Sequence, residues 1–394
     1  MCWTSVKRDA CASYNIIKNR FAVFYGTPFN KGCRHKKARF TKPRLKGTKR
    51  EGLLMKQHIF APYIMEHTVN DLRVCDIMRI THLNIAFGLI HDNTVTVDHL
   101  QYLDRVAVYK RINPSLRVIL SIGGWGADGF SQVAMTKEGR STFVSSAMDI
   151  VKQYDFDGVD IDWEYPCIDT AEIACDPADK VNFTDLMQDL RNGLTALGKE
   201  TGKSYLLTCA VGGDAYFIEN TEMDKVAQIV DYVNLMTYDL RGGFEEYAGH
   251  HTNLYPQSGD PDGPCGERTV RIYHEAGVPY EKMVLGAAFY GRRWAGVVDG
   301  GTHGLGQKAS TVGNIRTEFD LQDEKAVAAN RFTKLWDDNA KAAYLYDGAD
   351  FISYETPESI SAKCDFIREK GLAGLMYWAY GNHTLFEAVD KYLD

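Results

Sequence analysis

From residue 57 onward two kinds of pattern alternate along the chain. Short apolar runs recur at 58–63, 82–87, 117–122, 158–164, 205–211, 232–237, 283–290 and 374–379. Each has the length and aliphatic or β-branched content of a strand. Between most of them lie stretches of helical period, such as 142–154, 181–198 and 359–370. In 181–198, Leu186, Leu190 and Leu194 recur every fourth position with Asp185 and Asp189 between them, giving one apolar and one charged face. Strands separated by helices predict parallel pairing. Eight such units predict an α/β fold, the closed (β/α)8 TIM barrel.

Two stretches break the pattern. Between Tyr290 and Ser359 the chain is too long for a plain connection. That interval holds a glycine-rich run (299–306), an acidic run (318–324) and a turn region (344–347). It also holds Trp294, Phe319, Phe332, Leu335, Trp336, Tyr344 and Tyr346, enough apolar content to argue against disorder. An interval of that length and content should carry structure of its own. The second stretch, residues 1–54, carries Lys/Arg clusters and no hydrophobic period. A basic arm for anionic surfaces and a disordered leader are both open readings. So is a translated ribosome-binding site, because Lys49-Arg50-Glu51-Gly52 requires purine-rich codons just ahead of Met55. The last reading makes 55–394 the native catalytic chain.

Charge sharpens this division. The leader holds 14 of the 45 Lys/Arg and 2 of the 52 Asp/Glu, so the formal −7 leaves 31 basic against 50 acidic residues elsewhere, or −19. So anionic a body disfavours nucleic acid and suits a neutral polysaccharide. No apolar run approaches the roughly 20 residues of a membrane-spanning helix. The stretch 16–25 is too short and too interrupted by Lys18, Asn19 and Arg20 for a secretory core. Cytoplasmic residence is the default, with export by another route left open. Beyond residue 54 the cysteines are Cys75, Cys167, Cys175, Cys209, Cys265 and Cys364, with no C-x-x-C pair, which excludes a zinc ribbon or a thioredoxin-like motif. Cys209 reads as a buried thiol. Cys167 and Cys175 could pair only in an oxidising compartment, and reduced thiols are the default.

The chemistry concentrates in the fourth run. Asp160, Asp162 and Glu164 alternate with Val159, Ile161 and Trp163, so one strand face is apolar and the other carries carboxylates roughly 6–7 Å apart. Like charges at that spacing cannot all ionise near neutral pH, and a carboxyl that keeps its proton can serve as a general acid. Asp157, Asp160, Asp162 and Glu164 together form D-x-x-D-x-D-x-E, which resembles the signature of glycoside hydrolase family 18, the chitinases and their relatives. Ser121-Ile122-Gly123-Gly124-Trp125 resembles that family's S-x-G-G-W. Met236-Thr237-Tyr238-Asp239, Tyr290-Gly291-Arg292 and Met376-Tyr377-Trp378-Ala379 resemble its later strand ends, in the family's order.

The resemblance implies a small α+β module over residues 293–350, inserted after the seventh strand, and hydrolysis of β-1,4-linked N-acetylglucosamine without cofactor or metal, with retention assisted by the substrate's own acetamido group. It implies Glu164 as acid and base, Asp162 and Tyr238 as holders of the acetamido group, and Asp160 sharing a proton with Asp162. Trp378 would floor the pocket, with Asp239, Met236 and Arg292 around the same sugar; a salt bridge to a carboxylate of the insert is the alternative for Arg292. Trp125, Tyr63, Phe87 and Trp294 are weaker subsite candidates. Asp157 reads as structural, and Gly123 and Gly124 as a tight turn. His250-His251 invites a metal, but neighbouring residues on an extended chain face opposite ways. The partner expected is chitin or its oligomers, bound by a monomer, with no nucleic acid or membrane. An endo-β-N-acetylglucosaminidase acting on N-glycans is the second enzyme reading. A chitin-binding lectin is disfavoured because Glu164 is present.

Overall fold

Residues 58–315 and 317–393 are described by a computed structural model of the protein. All eight apolar runs are strands: β1 (Ile59–Met65), β2 (His82–His91), β4 (Arg117–Gly123), β5 (Gly158–Asp162), β6 (Leu206–Gly212), β7 (Tyr232–Met236), β8 (Met283–Ala288) and β13 (Gly374–Trp378). β3 (Thr94–Thr96) only extends β2 as a hairpin. The eight pair in parallel in the order β1-β13-β8-β7-β6-β5-β4-β2. Pairing of Tyr63 with Asn84 joins β1 to β2 and closes a (β/α)8 barrel. The leader and Met55 lie outside the described residues.

Alternation decides what each strand gives to the two sides of the barrel wall. In β5, Val159 and Ile161 are wholly buried against the surrounding helices, while Asp160 and Asp162 face the interior. The outer layer includes the helix Asp179–Thr201, which buries Phe183, Leu186, Leu190, Leu194 and Leu197 on the predicted stripe and ends at Gly202 in a left-handed conformation. Burying each such side chain contributes about 1.5–3 kcal/mol, so this packing outweighs the helix's intrinsic preference. The helix Pro357–Lys370 starts where Thr356 and Ser359 form a reciprocal capping box with proline at the first turn. Inside the barrel a second, smaller cluster of Ala61, Ala86, Ile119, Ala210, Val284 and Met376 fills the bore.

Residues between β8 and β13 form an antiparallel sheet of order β10-β11-β12-β9, from β9 (Arg292–Trp294), β10 (Thr333–Asp337), β11 (Ala342–Tyr346) and β12 (Phe351–Tyr354). One face packs Trp294, Tyr344, Tyr346 and Phe351. The other packs Phe332, Ala343, Leu345 and Ile352 under the short helix Glu324–Ala329. Period-2 alternation along β11 thus feeds two cores, and the sheet reaches Tyr354, beyond the boundary of 350 expected from sequence.

β5 stops at Asp162, two residues short of the expected strand end. There the Asp162 carbonyl accepts from the Gly124 N–H at 2.8 Å. Gly123 and Gly124 hold φ of +118° and +90°. A Cβ on Gly123 would stand 2.0 Å from the Asp162 carbonyl oxygen, and one on Gly124 would meet the Phe87 ring at 2.6 Å. The turn therefore requires glycine at both positions, and the S-I-G-G-W stretch locks onto the end of the acidic strand.

Candidate active site

The carboxylates form a ladder from the base of the barrel to its mouth. Asp157, at the foot, accepts from Lys110 Nζ and from the Val118 N–H, each at 2.9 Å, and so ties β5 to its surroundings. Asp160, wholly buried, accepts four hydrogen bonds: Ser121 Oγ at 2.7 Å, Thr208 Oγ1 at 2.6 Å, Tyr63 OH at 2.9 Å and Asn234 Nδ2 at 3.2 Å. Burial raises its pKa while these donors oppose the rise. Asp162 has no such relief. Its Oδ1 is buried without a hydrogen-bond partner. Burial first, then the charges of Glu164 and Asp160, push it well above the usual carboxylate range.

Glu164 stands past the strand end and is half-buried. Burial pushes its carboxyl up to about 7; the Asp239 charge adds to the rise, and a hydrogen bond from Tyr165 opposes it. Trp163, just before it, is anchored behind the wall by stacking on Phe130 at 5.3 Å. Tyr238 lies close enough to Asp162 and Glu164 for both charges to act on its hydroxyl. Trp378 stacks on Phe87 at 5.4 Å and lies 5.9 Å from the Tyr63 ring. With Met236 these residues line the mouth end of the bore. The site thus brings together a carboxyl raised to about 7, a second carboxyl with a free oxygen, a tyrosine hydroxyl and an indole face.

Three placements differ from the sequence-based expectation. Trp294 is not a cleft residue: it is 0% exposed in the core of the inserted sheet, with Nε1 donating to the Glu245 carbonyl at 3.0 Å. Tyr63 is buried inside the bore as a donor to Asp160 rather than standing at a subsite. Arg292 pairs with Asp239 through Nε at 2.5 Å and donates to the Gly313 carbonyl, so its carboxylate partner belongs to the loop after β7 and not to the insert. Asp239 itself, at φ +54°, accepts on the single atom Oδ1 from Arg292, from Tyr290 OH at 2.6 Å and from His251 Nδ1 at 3.4 Å. Burial would raise this carboxyl, but the Arg292 charge and the hydrogen bonds hold it well below the usual range. Its lowered pKa contrasts with the raised ones of Asp160, Asp162 and Glu164.

Trp125 is 36% exposed, edge-on to Tyr165 at 6.4 Å and 6.1 Å from the ring of Phe244, itself 74% exposed. Sequence reasoning passed over Phe244 and Tyr165, whose only signal was nearness to a recognised motif, and weighed His251 only as half of a doubled histidine. His250 and His251 do face apart, toward Asp337 at 3.3 Å and Asp239 at 3.4 Å. Among the described residues no group of three or more His, Cys, Asp or Glu could hold a metal ion, and no helix is long and apolar enough to cross a membrane. Cys167 and Cys175 are both free thiols.

Residues 59–382 match the family model described as Glycosyl hydrolases family 18. Chitinase A1 of Niallia circulans is 40% identical over 286 residues, covering 68% of this chain and 41% of that protein. Chitotriosidase-1 of Mus musculus is 32% identical over 314 residues, 76% of this chain and 66% of that one. The chain thus spans between about two fifths and two thirds of the length of these curated relatives. Among solved structures, a glycoside hydrolase family 18 N-acetylglucosaminidase from Paenibacillus barengoltzii superposes with a TM-score of 0.81 at 42% identity, covering 85% of this chain and 99% of that one.

Proposed function

Since the chain belongs to the glycosyl hydrolases of family 18, we propose that it is a chitinase, hydrolysing β-1,4-linked N-acetylglucosamine with retention through the substrate's own 2-acetamido group. The observation that carries this reading is the pairing of Glu164, raised to about 7, with an Asp162 whose buried Oδ1 lacks a partner. An ordinary retaining glycosidase needs a nucleophilic carboxylate roughly 5–5.5 Å from the acid on the opposite side of the sugar, and family 18 is an exception. Asp162 stands only two residues before Glu164 on the same stretch of chain, and Oδ1 of Asp239 is bound by three donors. Neither suits attack from the opposite face.

In the proposed reaction Glu164 gives its proton to the glycosidic oxygen as the C1–O bond breaks. The acetamido carbonyl oxygen bonds to C1 and forms an oxazolinium ion. Asp162 accepts from the acetamido N–H through its free oxygen and, sharing its proton with Asp160, offsets the positive charge as it grows. The Tyr238 hydroxyl donates to the acetamido oxygen, and Trp378 excludes water beneath the ring. Glu164, now ionised, takes a proton from water, whose oxygen attacks C1 from the face the leaving group left. The acetamido group is then restored and the configuration retained. Asp239, Met236 and Arg292 surround the sugar in this reading. Trp125 and Phe244 offer aromatic faces to the sugar beyond Glu164, and segment 293–350 forms a wall of the cleft even though its large aromatics pack inward.

A second reading, release of single N-acetylglucosamine units, draws on the 42% identity to the Paenibacillus N-acetylglucosaminidase. Chitohexaose separates the two. Early dimers to tetramers mark internal cleavage, whereas monomer and pentamer as the sole early products mark the second reading. Cleavage confined to a biantennary glycopeptide would replace both with an endoglycosidase, and binding without cleavage of either substrate would leave a lectin.

A further inference from the structure

His251 takes no part in the reaction proposed above, yet it is wholly buried beside the site, at the seam between barrel and inserted sheet. Its backbone is fixed from both sides. The N–H donates to Ser353 Oγ at 3.0 Å on β12, and the carbonyl accepts from the Leu240 N–H at 3.1 Å on the loop after β7. The next residue, Thr252, donates to Glu355 Oε1 at 2.8 Å and is held by the buried Lys363 amine at 2.8 Å. The ring lies 5.2 Å from the Tyr290 ring. Nδ1 lies 3.4 Å from Asp239 Oδ1, while Nε2 is buried without a hydrogen-bond partner. A buried N–H left unpaired costs more than a bare ring nitrogen, and burial lowers the ring's pKa. The neutral ring therefore carries its proton on Nδ1, aimed at Asp239.

Asp239 is asymmetric. Three donors converge on Oδ1, no hydrogen bond among the described residues reaches Oδ2, and the side chain is 38% exposed. Two of those donors depend on the inserted sheet. Arg292 belongs to β9 and pairs in register with Ser353 of β12, which in turn holds His251. We propose that His251 is a positioning residue: from this seam it donates to Asp239 Oδ1 and, with Arg292 and Tyr290, turns Oδ2 toward the cleft to accept from a sugar hydroxyl. The inserted sheet then acts on the site through Asp239, by orienting one carboxylate, and not through an aromatic surface of its own.

The activity arm of the test rests on the chitinase reading; the spectroscopic arm does not. An asparagine at 251 can place its amide nitrogen near the position of Nδ1, whereas a glutamine amide reaches toward Nε2, away from Asp239. His251→Asn should stay within about threefold of the wild type in kcat/KM on chitohexaose, and His251→Gln should fall about tenfold, the low end for a hydrogen bond to a charged group. In an Asp239→Ala background the two should agree within about twofold, because the shared partner is gone. Equal losses for both variants, or an undiminished gap without Asp239, would overturn the proposal. ¹⁵N NMR of the wild-type chain should show His251 as the Nδ1–H tautomer and should show that preference lost in Asp239→Ala. An Nε2–H tautomer in the wild type would overturn it as well. Wild-type inactivity on chitohexaose defeats the chitinase reading and leaves the NMR arm to decide this one.

Discussion

Tyr165→Phe isolates one determinant of the acid's pKa. The Tyr165 hydroxyl donates to Glu164 and stabilises its ionised form, against the burial that disfavours it. The ring also packs edge-on to Tyr216 at 5.4 Å and Phe217 at 5.9 Å, contacts that phenylalanine keeps. Removing the hydroxyl takes a hydrogen bond from the carboxylate as well as one from Tyr216, so the carboxylate is less stabilised, its proton is held more tightly and the pKa should rise. A hydrogen bond to a charged group contributes about 1.5–3 kcal/mol, and one pKa unit corresponds to about 1.4 kcal/mol. Water entering the open cleft replaces part of that bond, which brings the expected rise to about half to one unit. The first step needs Glu164 protonated, so the alkaline limb of kcat/KM should move up from about 7 by that amount. Its measurement on a chromogenic chitobioside from pH 4 to 10 is direct. At pH 6, where wild-type Glu164 is already mostly protonated, activity should change by less than about threefold. A limb that stays in place or moves toward lower pH would refute the assignment of that limb to Glu164 under Tyr165.

Two further perturbations probe mechanism and scaffold. Partly deacetylated chitosan should yield products whose new reducing end is always acetylated, because a free amine cannot form the oxazolinium ring; sequencing that finds glucosamine there at a substantial fraction would require a carboxylate nucleophile. Trp294→Ala should cost about 3–5 kcal/mol of the stability of the inserted sheet and lower the thermal midpoint by about 5–10 °C, with activity falling because Arg292 sits on the same short strand; an unchanged midpoint would mean that the indole is not packed as described.

The barrel was legible because its strands obey local rules. Val159 and Ile161 alternate with Asp160 and Asp162 whatever lies around them, and the Leu186–Leu190–Leu194 stripe predicts its buried face unaided. Contacts across the chain were not legible. Nothing near Tyr63 reveals that its hydroxyl meets a carboxylate 97 positions away. Trp294 follows Tyr290-Gly291-Arg292, and only the register of β9 against β12 shows that Arg292 reaches the site while the tryptophan enters the insert's own core. The end of β5 escaped prediction for a similar reason. Alternation continues through Trp163 and Glu164, but the turn at Gly123 and Gly124 takes the Asp162 carbonyl and ends the pairing there. His251 was visible only as half of a doubled histidine, because its partner Asp239 is brought to it by a loop that folds back on itself.

The central claim is that Glu164 is the proton donor of a retaining, acetamido-assisted cleavage. Chitohexaose followed by ¹H NMR with the wild type and with Glu164→Gln tests it most directly, since glutamine keeps the shape and removes the proton. The wild type should release products whose new reducing ends appear first as the β anomer. Glu164→Gln should bind the hexamer with similar affinity and turn it over about 10²–10⁴ times more slowly, the usual worth of a catalytic acid. A variant retaining more than about a tenth of wild-type turnover, or wild-type products appearing first as the α anomer, would contradict the account.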